Sequence, residues 1–302
     1  MRAMIVVAAA ALAVSGCEKA GPKDRVEKSK LYVLDEGTGD KRELRYEIPE
    51  GSSQRLDFVM DTTMNMSGAG MPGGDMVLPR MTMATTISVD KVDAKGGMHF
   101  AMVTDDFTVS DRPGAMAGVS SAMAGPLAAM RGLRMTGTLM PDGKTREMKV
   151  DESTVDPSVR DALKTTEQSI DQMTALLPDV PVGVGARWRV EQTLRSGGIR
   201  MNQVATYELT ALTATGATIT ADVDMDAPAQ SIKQNGMSVR LDRMSGRGAF
   251  TTQLAFDKMV DRVAGTISMD MDLSAAGQRV SMSMQLALDI HPQGAAAEVA
   301  DD

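Results

Sequence analysis

From residue 43 onward the chain alternates apolar and polar side chains with a period of two, the pattern of strands that bury one face and wet the other. Phe58, Met60, Thr62, Met64 and Met66 fall on one parity, with Asp57, Val59, Asp61, Thr63 and Asn65 on the other. Val77, Met81, Met83, Thr85, Ile87 and Val89 repeat the pattern against Arg80, Thr82, Thr86, Ser88 and Asp90. Ile219, Val223 and Met225 do so against Thr220, Asp222 and Asp224, and Ile267, Met269, Met271 and Leu273 against Thr266, Ser268, Asp270 and Asp272. The last such stretch places Val280, Met282, Met284, Leu286, Leu288 and Ile290 opposite Ser281, Ser283, Gln285 and Asp289. The expected fold is mainly β with minor α: two related antiparallel curved sheets or half-barrels.

Two stretches break the period. Val159, Leu163, Thr166, Ile170, Met173 and Leu177 step by threes and fours after Asp156-Pro157 and stop at Pro178, which predicts an amphipathic helix over 156–177. Met116, Val119, Met123, Leu127 and Met130 suggest a second helix within 113–133, interrupted by Gly118, Gly125 and Pro126. Gly-bearing strands and turns recur in similar order before and after the first helix, which points to an internal duplication. The expected organisation is a first β half at 43–155, a connecting helix at 156–178, a second β half at 179–292 and a tail at 293–302.

The first residues have a different character. Arg2, an apolar run from Ile5 to Val14 and then Val14-Ser15-Gly16-Cys17 form a secretory signal over 1–16, too short to span a bilayer. Small residues directly before the chain's only cysteine resemble the bacterial lipobox, in which cleavage exposes a cysteine that is then acylated. The resemblance implies Cys17 as the lipidated N-terminus, with palmitate-type chains contributing about 0.8 kcal/mol of membrane affinity per methylene. The charged stretch that follows reads as a tether over 17–42. By analogy with lipoprotein sorting, Glu18 in place of an aspartate favours the periplasmic face of the outer membrane, and the alternative is the external face of a plasma membrane.

Composition narrows the function. A formal charge of −8 offers no footprint for nucleic acid. One cysteine and two histidines, His99 and His291, are too few for a Cys/His zinc site. Gly68-Ala69-Gly70-Met71-Pro72-Gly73 matches a dinucleotide fingerprint by letters, but a strand follows it where a helix is required. Asp222-Val223-Asp224-Met225-Asp226 begins like a calcium loop and lacks its glycine and final glutamate, so it reads as the wet face of a strand. No nucleophile elbow or paired-histidine helix occurs, which leaves only a carboxylate pair converging in three dimensions as a route to catalysis. No cofactor is expected.

The stretch Pro181-Val182-Gly183-Val184-Gly185-Ala186-Arg187-Trp188 is similar to the Pro-Val-x-x-Gly-x-x-Trp lead-in to the second half of an uncharacterised family of bacterial lipoproteins. That resemblance implies no activity. In architecture alone, curved sheets after a lipobox resemble the Lol-type lipoprotein carriers, whose open half-barrels shield acyl chains.

The chain is rich in methionine (27) and poor in aromatic residues (3%), so its interior is lined by flexible thioethers more than by rings. Parity points Met60, Met64, Met81, Met83, Met269, Met271, Met282 and Met284 inward, and these are the candidate residues for an apolar ligand cavity. Asp57, Asp61, Thr82, Asp270, Ser281 and Ser283 should face water. Met64, Met66, Met71 and Met76 form a competing candidate, because soft thioethers select Cu(I) when three or four converge. The sequence favours a non-catalytic role: binding an apolar, lipid-like ligand or an envelope partner from a membrane anchor. Cu(I) handling and a purely structural envelope component are the alternatives.

Overall fold

The structure, a computed structural model, describes residues 29–68, 73–115, 118–151, 153, 176–196, 198–234, 237–275 and 278–295. Near the N-terminus lie β1 (Lys30–Asp35) and β2 (Thr38–Arg42). The first half follows with β3 (Ser53–Gly68), β4 (Asp75–Val77), β5 (Arg80–Val92), β6 (Met98–Ser110), helix α1 (Val119–Ala128), β7 (Arg134–Leu139) and β8 (Thr145–Asp151). The second half holds β9 (Val182–Val184), β10 (Arg187–Ser196), β11 (Ile199–Leu212), β12 (Gly216–Ala227), β13 (Gln230–Gln234), β14 (Met237–Ala255), β15 (Arg262–Ala275) and β16 (Gln278–Pro292). The protein is mainly β, with one helix among the described residues.

Each half is an antiparallel meander, and the two merge. One 14-stranded sheet runs in the order β1, β10, β11, β12, β14, β15, β16, β3, β5, β6, β7, β8, with β13 on β14 and β4 on β3, while β2 and β9 form a small second sheet. The halves join where β16, the last strand, pairs along its length with β3, from Val280↔Gly68 to Pro292↔Leu56. The large sheet keeps two edges, β1 and β8, and does not close into a barrel.

It does bend. Leu56, Phe58, Met98, Phe100 and Leu139 of the first half share one buried cluster with Trp188, Leu209, Ile219 and Phe256 of the second. The connection between β2 and β3 makes this possible. Leu44, Tyr46 and Ile48 are buried in the same cluster, and the Tyr46 and Glu47 amides donate to the Pro141 and Phe256 carbonyls, 2.9 and 2.7 Å away. This alternating segment therefore spans both arms at one end of the sheet, and each large side chain it buries contributes about 1.5–3 kcal/mol.

Two expectations are corrected and a third is narrowed. The tether reading of 17–42 fails from Lys30 on, because Leu31 and Val33 pair with Val190 and Trp188 and extend the sheet by β1. In β2, Arg42 donates to the Thr213 and Ala214 carbonyls at 3.2 and 2.8 Å and lies 4.5 Å over the Phe256 ring, so a segment of charged appearance is anchored by its arginine. The helix expected within 113–133 is confined to Val119–Ala128, with Gly118 at φ 80 as its cap and no buried residue. Asp61, expected in water, is 4% exposed. The helix predicted over 156–177 falls outside the described residues except at its end, where Leu177 is buried and the Leu176 carbonyl accepts from Trp188 Nε1 at 2.9 Å.

Candidate functional site

Residues that oppose each other across antiparallel strands share a face, with Cβ atoms about 4.5–5.5 Å apart. Across the large sheet this rule assembles the methionines into rows. One row runs Met225, Gly246, Met269, Met284, Met64 and Met76 over β12, β14, β15, β16, β3 and β4. The adjacent row runs Ala227, Met244, Met271, Met282 and Met66. On the other side come Val223, Gly248, Ile267, Leu286 and Thr62, then Ala221, Phe250, Gly265, Leu288, Met60 and Met81. Met83 opposes Phe58 and extends the same face.

All eight cavity candidates thus lie on one continuous apolar face. Their burial is uneven: Met64 is 1% exposed, while Met60, Met81, Met83, Met269, Met271, Met282 and Met284 are half-buried. Towards the second half the face is covered, since Met269 and Met271 pack on a cluster of Leu194, Met201, Ile232, Leu241 and Met244. Gaps left by its glycines are filled from the same face. A Cβ on Gly265 would stand 2.4 Å from Phe250 Cδ1, and one on Gly248 3.0 Å from Phe250 Cε2, so the Phe250 ring lies across both. The Met225 side chain covers Gly246 in the same way, 3.2 Å from where a Cβ would be.

The Cu(I) set is partly assembled. Met64 and Met76 are direct cross-strand partners, and Met66, half-buried, follows on the same face. Met71 lies outside the described residues, as does Cys17. Among the described residues no group of three or more His, Cys, Asp and Glu side chains is placed to hold a metal ion, and no helix is long and apolar enough to cross a membrane.

The opposite face carries what parity could not show, a buried ionic seam at the junction of the halves. Asp61 accepts from Arg80 Nε and Nη2 at 3.0 and 2.7 Å and has Arg112 Nε at 3.5 Å. On the neighbouring strand Asp289, 1% exposed, accepts from Arg262 Nη2 at 2.9 Å. The register sets Ala287 against Asp61 and Asp289 against Val59, so two buried carboxylates sit diagonally on adjacent strands. Both are engaged by arginine and withdrawn from solvent, which suits a structural clamp and not a site that must admit substrate. His291, 3% exposed, opposes Asp57 on the same seam, whereas His99 is half-buried and meets Thr138 Oγ1 through Nδ1 at 3.2 Å. Asp222, Asp224 and Asp226 alternate outward along β12.

A model of a family of unknown function, DUF6263, matches residues 162–260. The match takes in β9 to β14 and the Pro181–Trp188 stretch, so the likeness to an uncharacterised family holds over much of the second half. No curated protein matches the chain.

An open trough of about 460 Å³ lies over β12, β14 and β15, lined largely by outward-facing Thr220, Asp222, Thr251, Gln253, Arg262 and Thr266. Its volume is that of a ligand pocket, and its lining mixes these polar side chains with Ala221, Ala249, Phe250, Ala264 and Gly265. The methionine face is the more extensive apolar surface, covered towards the second half and half-buried elsewhere. At the closed end of the sheet Trp188 stacks on Tyr207 with centroids 5.4 Å apart. Burial pushes the Tyr207 phenol up to about 12, and burial together with neighbouring Tyr207 drives Tyr46 further still.

Proposed function

We propose that the protein is a periplasmic lipoprotein, anchored to the outer membrane through acylated Cys17, that binds an apolar, lipid-like ligand on its methionine-lined sheet face. The observation that carries this reading is the run of half-buried thioethers across β15, β16, β3 and β5, which leaves a continuous apolar face partly open to solvent. Contiguous exposed apolar surface marks binding more often than accident. Unbranched thioethers adapt to chains of varying shape better than rigid rings do. A second reading, Cu(I) binding, draws on the Met64–Met76 pairing with Met66 beside it.

Mass spectrometry of the full chain extracted gently from membranes separates the possibilities. Under denaturing conditions the mature N-terminal peptide should carry acyl chains on Cys17. Under native conditions the protein should retain an additional, dissociable lipid, and Met282→Asp should lose it, because a carboxylate would lie where the chain runs. A copper mass removed by changing Met64, Met66 and Met76 to leucine would establish the second reading instead. Native protein free of any bound species, together with no displacement of a fluorescent fatty acid, would leave only a structural role.

A further inference from the structure

Exposure divides the described methionines into a buried set and a half-buried set; of the half-buried ones Met123, Met130, Met140 and Met148 lie on or beside α1 and β8, and the rest form one block. Met60, Met66, Met76, Met81, Met83, Met269, Met271, Met282 and Met284 are half-buried and all belong to the one sheet face. Met64, Met98, Met102, Met135, Met201, Met225, Met244 and Met259 are each 9% exposed or less. The sulfur of a thioether is oxidised where an oxidant can reach it, and a sulfoxide turns a flexible apolar side chain into a polar one. The largest group of accessible thioethers therefore lies where polarity matters most.

We propose that this block is a reversible oxidation site at which peroxide switches the face from apolar to polar. In the forward step the sulfur lone pair attacks one peroxide oxygen, the O–O bond breaks, sulfur gains an S=O bond and loses two electrons, and the second oxygen leaves as water. In the reverse step a thiol-dependent sulfoxide reductase takes the oxygen off as water while two thiols become a disulfide. Met269 opposes Met284 and Met271 opposes Met282, with Met64 and Met66 next in line, so neighbouring sulfoxides would put several dipoles under one bound chain. The fold should survive, because these side chains already meet solvent. The ligand-release part of the proposal rests on the apolar-binding reading above; the site of oxidation does not.

The test is graded hydrogen peroxide on the purified full-length protein, followed by peptide mass mapping of the gain of about 16 Da per sulfoxide. Peptides bearing Met269, Met271, Met282 and Met284 should be oxidised before those bearing Met98, Met102, Met135 and Met259. At that stage the circular dichroism should be unchanged, binding of a fluorescent fatty acid should fall about tenfold or more, and treatment with both sulfoxide reductases and dithiothreitol should restore it. Replacing Met269, Met271, Met282 and Met284 by leucine should abolish the fall in binding on peroxide treatment, each protein being compared with its own untreated sample, since leucine has no sulfur to oxidise. Equal oxidation of the buried set, or undiminished binding with the block oxidised, would overturn the proposal. A reduced protein that never binds the probe would refute the apolar-binding reading and the release step with it, while the order of oxidation would still decide the site.

Discussion

Gly265→Ala adds one methyl group at the register position where β15 meets Phe250 of β14. The added Cβ would lie 2.3 Å from the Ala249 carbonyl oxygen, 2.4 Å from Phe250 Cδ1 and 2.8 Å from Phe250 Cα, whereas ordinary contact begins at 3.4 Å. The ring can rotate away, but the carbonyl and the Cα belong to the partner strand and move only if the ladder opens. Overpacking of this kind costs about 1–3 kcal/mol. Loosening one ladder hydrogen bond adds about 1 kcal/mol, and the loss of chain entropy that alanine spares returns less than about 1 kcal/mol. The net expectation is a destabilisation of about 2–3 kcal/mol. Urea unfolding followed through Trp188, the only tryptophan and fully buried, reads the change as a lower midpoint at constant slope. Gly74→Ala, where nothing lies within 4 Å, is the control and should be neutral or slightly stabilising. If Gly265→Ala unfolds at the same midpoint as the control, the close approach of β14 and β15 described above is wrong.

The ionic seam and the buried phenols make two further predictions. Asp61→Ala leaves Arg80 and Arg112 facing each other without their shared carboxylate, and should destabilise the protein by about 3 kcal/mol, against no more than about 0.5 kcal/mol for Asp270→Ala on the exposed face of β15; equal urea midpoints for the two variants would remove the seam from the account. Tyr207 has a folded-state pKa above its unfolded value of 10.0, so its contribution is fully present below pH 10 and is lost as pH rises through about 12. Alkaline unfolding should therefore begin above pH 10 and be shifted upward in Tyr207→Phe, and, in a Tyr32→Phe background that removes the exposed tyrosine, a phenolate absorbance that titrates at 10 before any unfolding would contradict the burial.

Period-two alternation made most strands legible, because a half-buried strand prints its two faces directly onto the sequence. The parity of Met60, Met64, Met282 and Met284 was readable for that reason. What was not readable was which strands are neighbours. Met282 and Met284 come to lie beside Met66 and Met64 only through the pairing of the last strand with the third, a register that leaves no local mark in either segment. The same limit hid Asp61: an aspartate on the polar parity reads as solvated until Arg80 and Arg112 are known to close over it. β1 and β2 were missed for a compositional reason. In β1 Leu31, Tyr32, Val33 and Leu34 are consecutive and apolar, so no period of two shows, β2 has no apolar residue at all, and Lys30, Asp35, Glu36, Asp40 and Lys41 lie in or beside them.

The place of the methionine rows in the topology bears on what a ligand there would do. The rows cross from β15 through β16 to β3, and the β16–β3 ladder is where the first and second halves become one sheet. On the polar side each strand of that ladder is tied outward by a buried acid–arginine pair, Asp61 of β3 to Arg80 of β5 and Asp289 of β16 to Arg262 of β15, and such pairs are costly to desolvate and contribute position more than net stability. On the apolar side it is held by half-buried thioethers, which give up only part of the hydrophobic gain of full burial. An acyl chain laid across Met269, Met284 and Met64 would complete that burial on both halves at once. Binding to the joined sheet and not to the separated halves would then stabilise the junction by about 2.7 kcal/mol at a hundredfold excess over Kd. Sulfoxides on the same rows would forfeit that gain while leaving the ionic side untouched. On the proposed reading the two faces of one ladder would divide the work: the arginine-bound carboxylates would fix their strands whatever the ligand state, and the thioethers would make the strength of the junction depend on it.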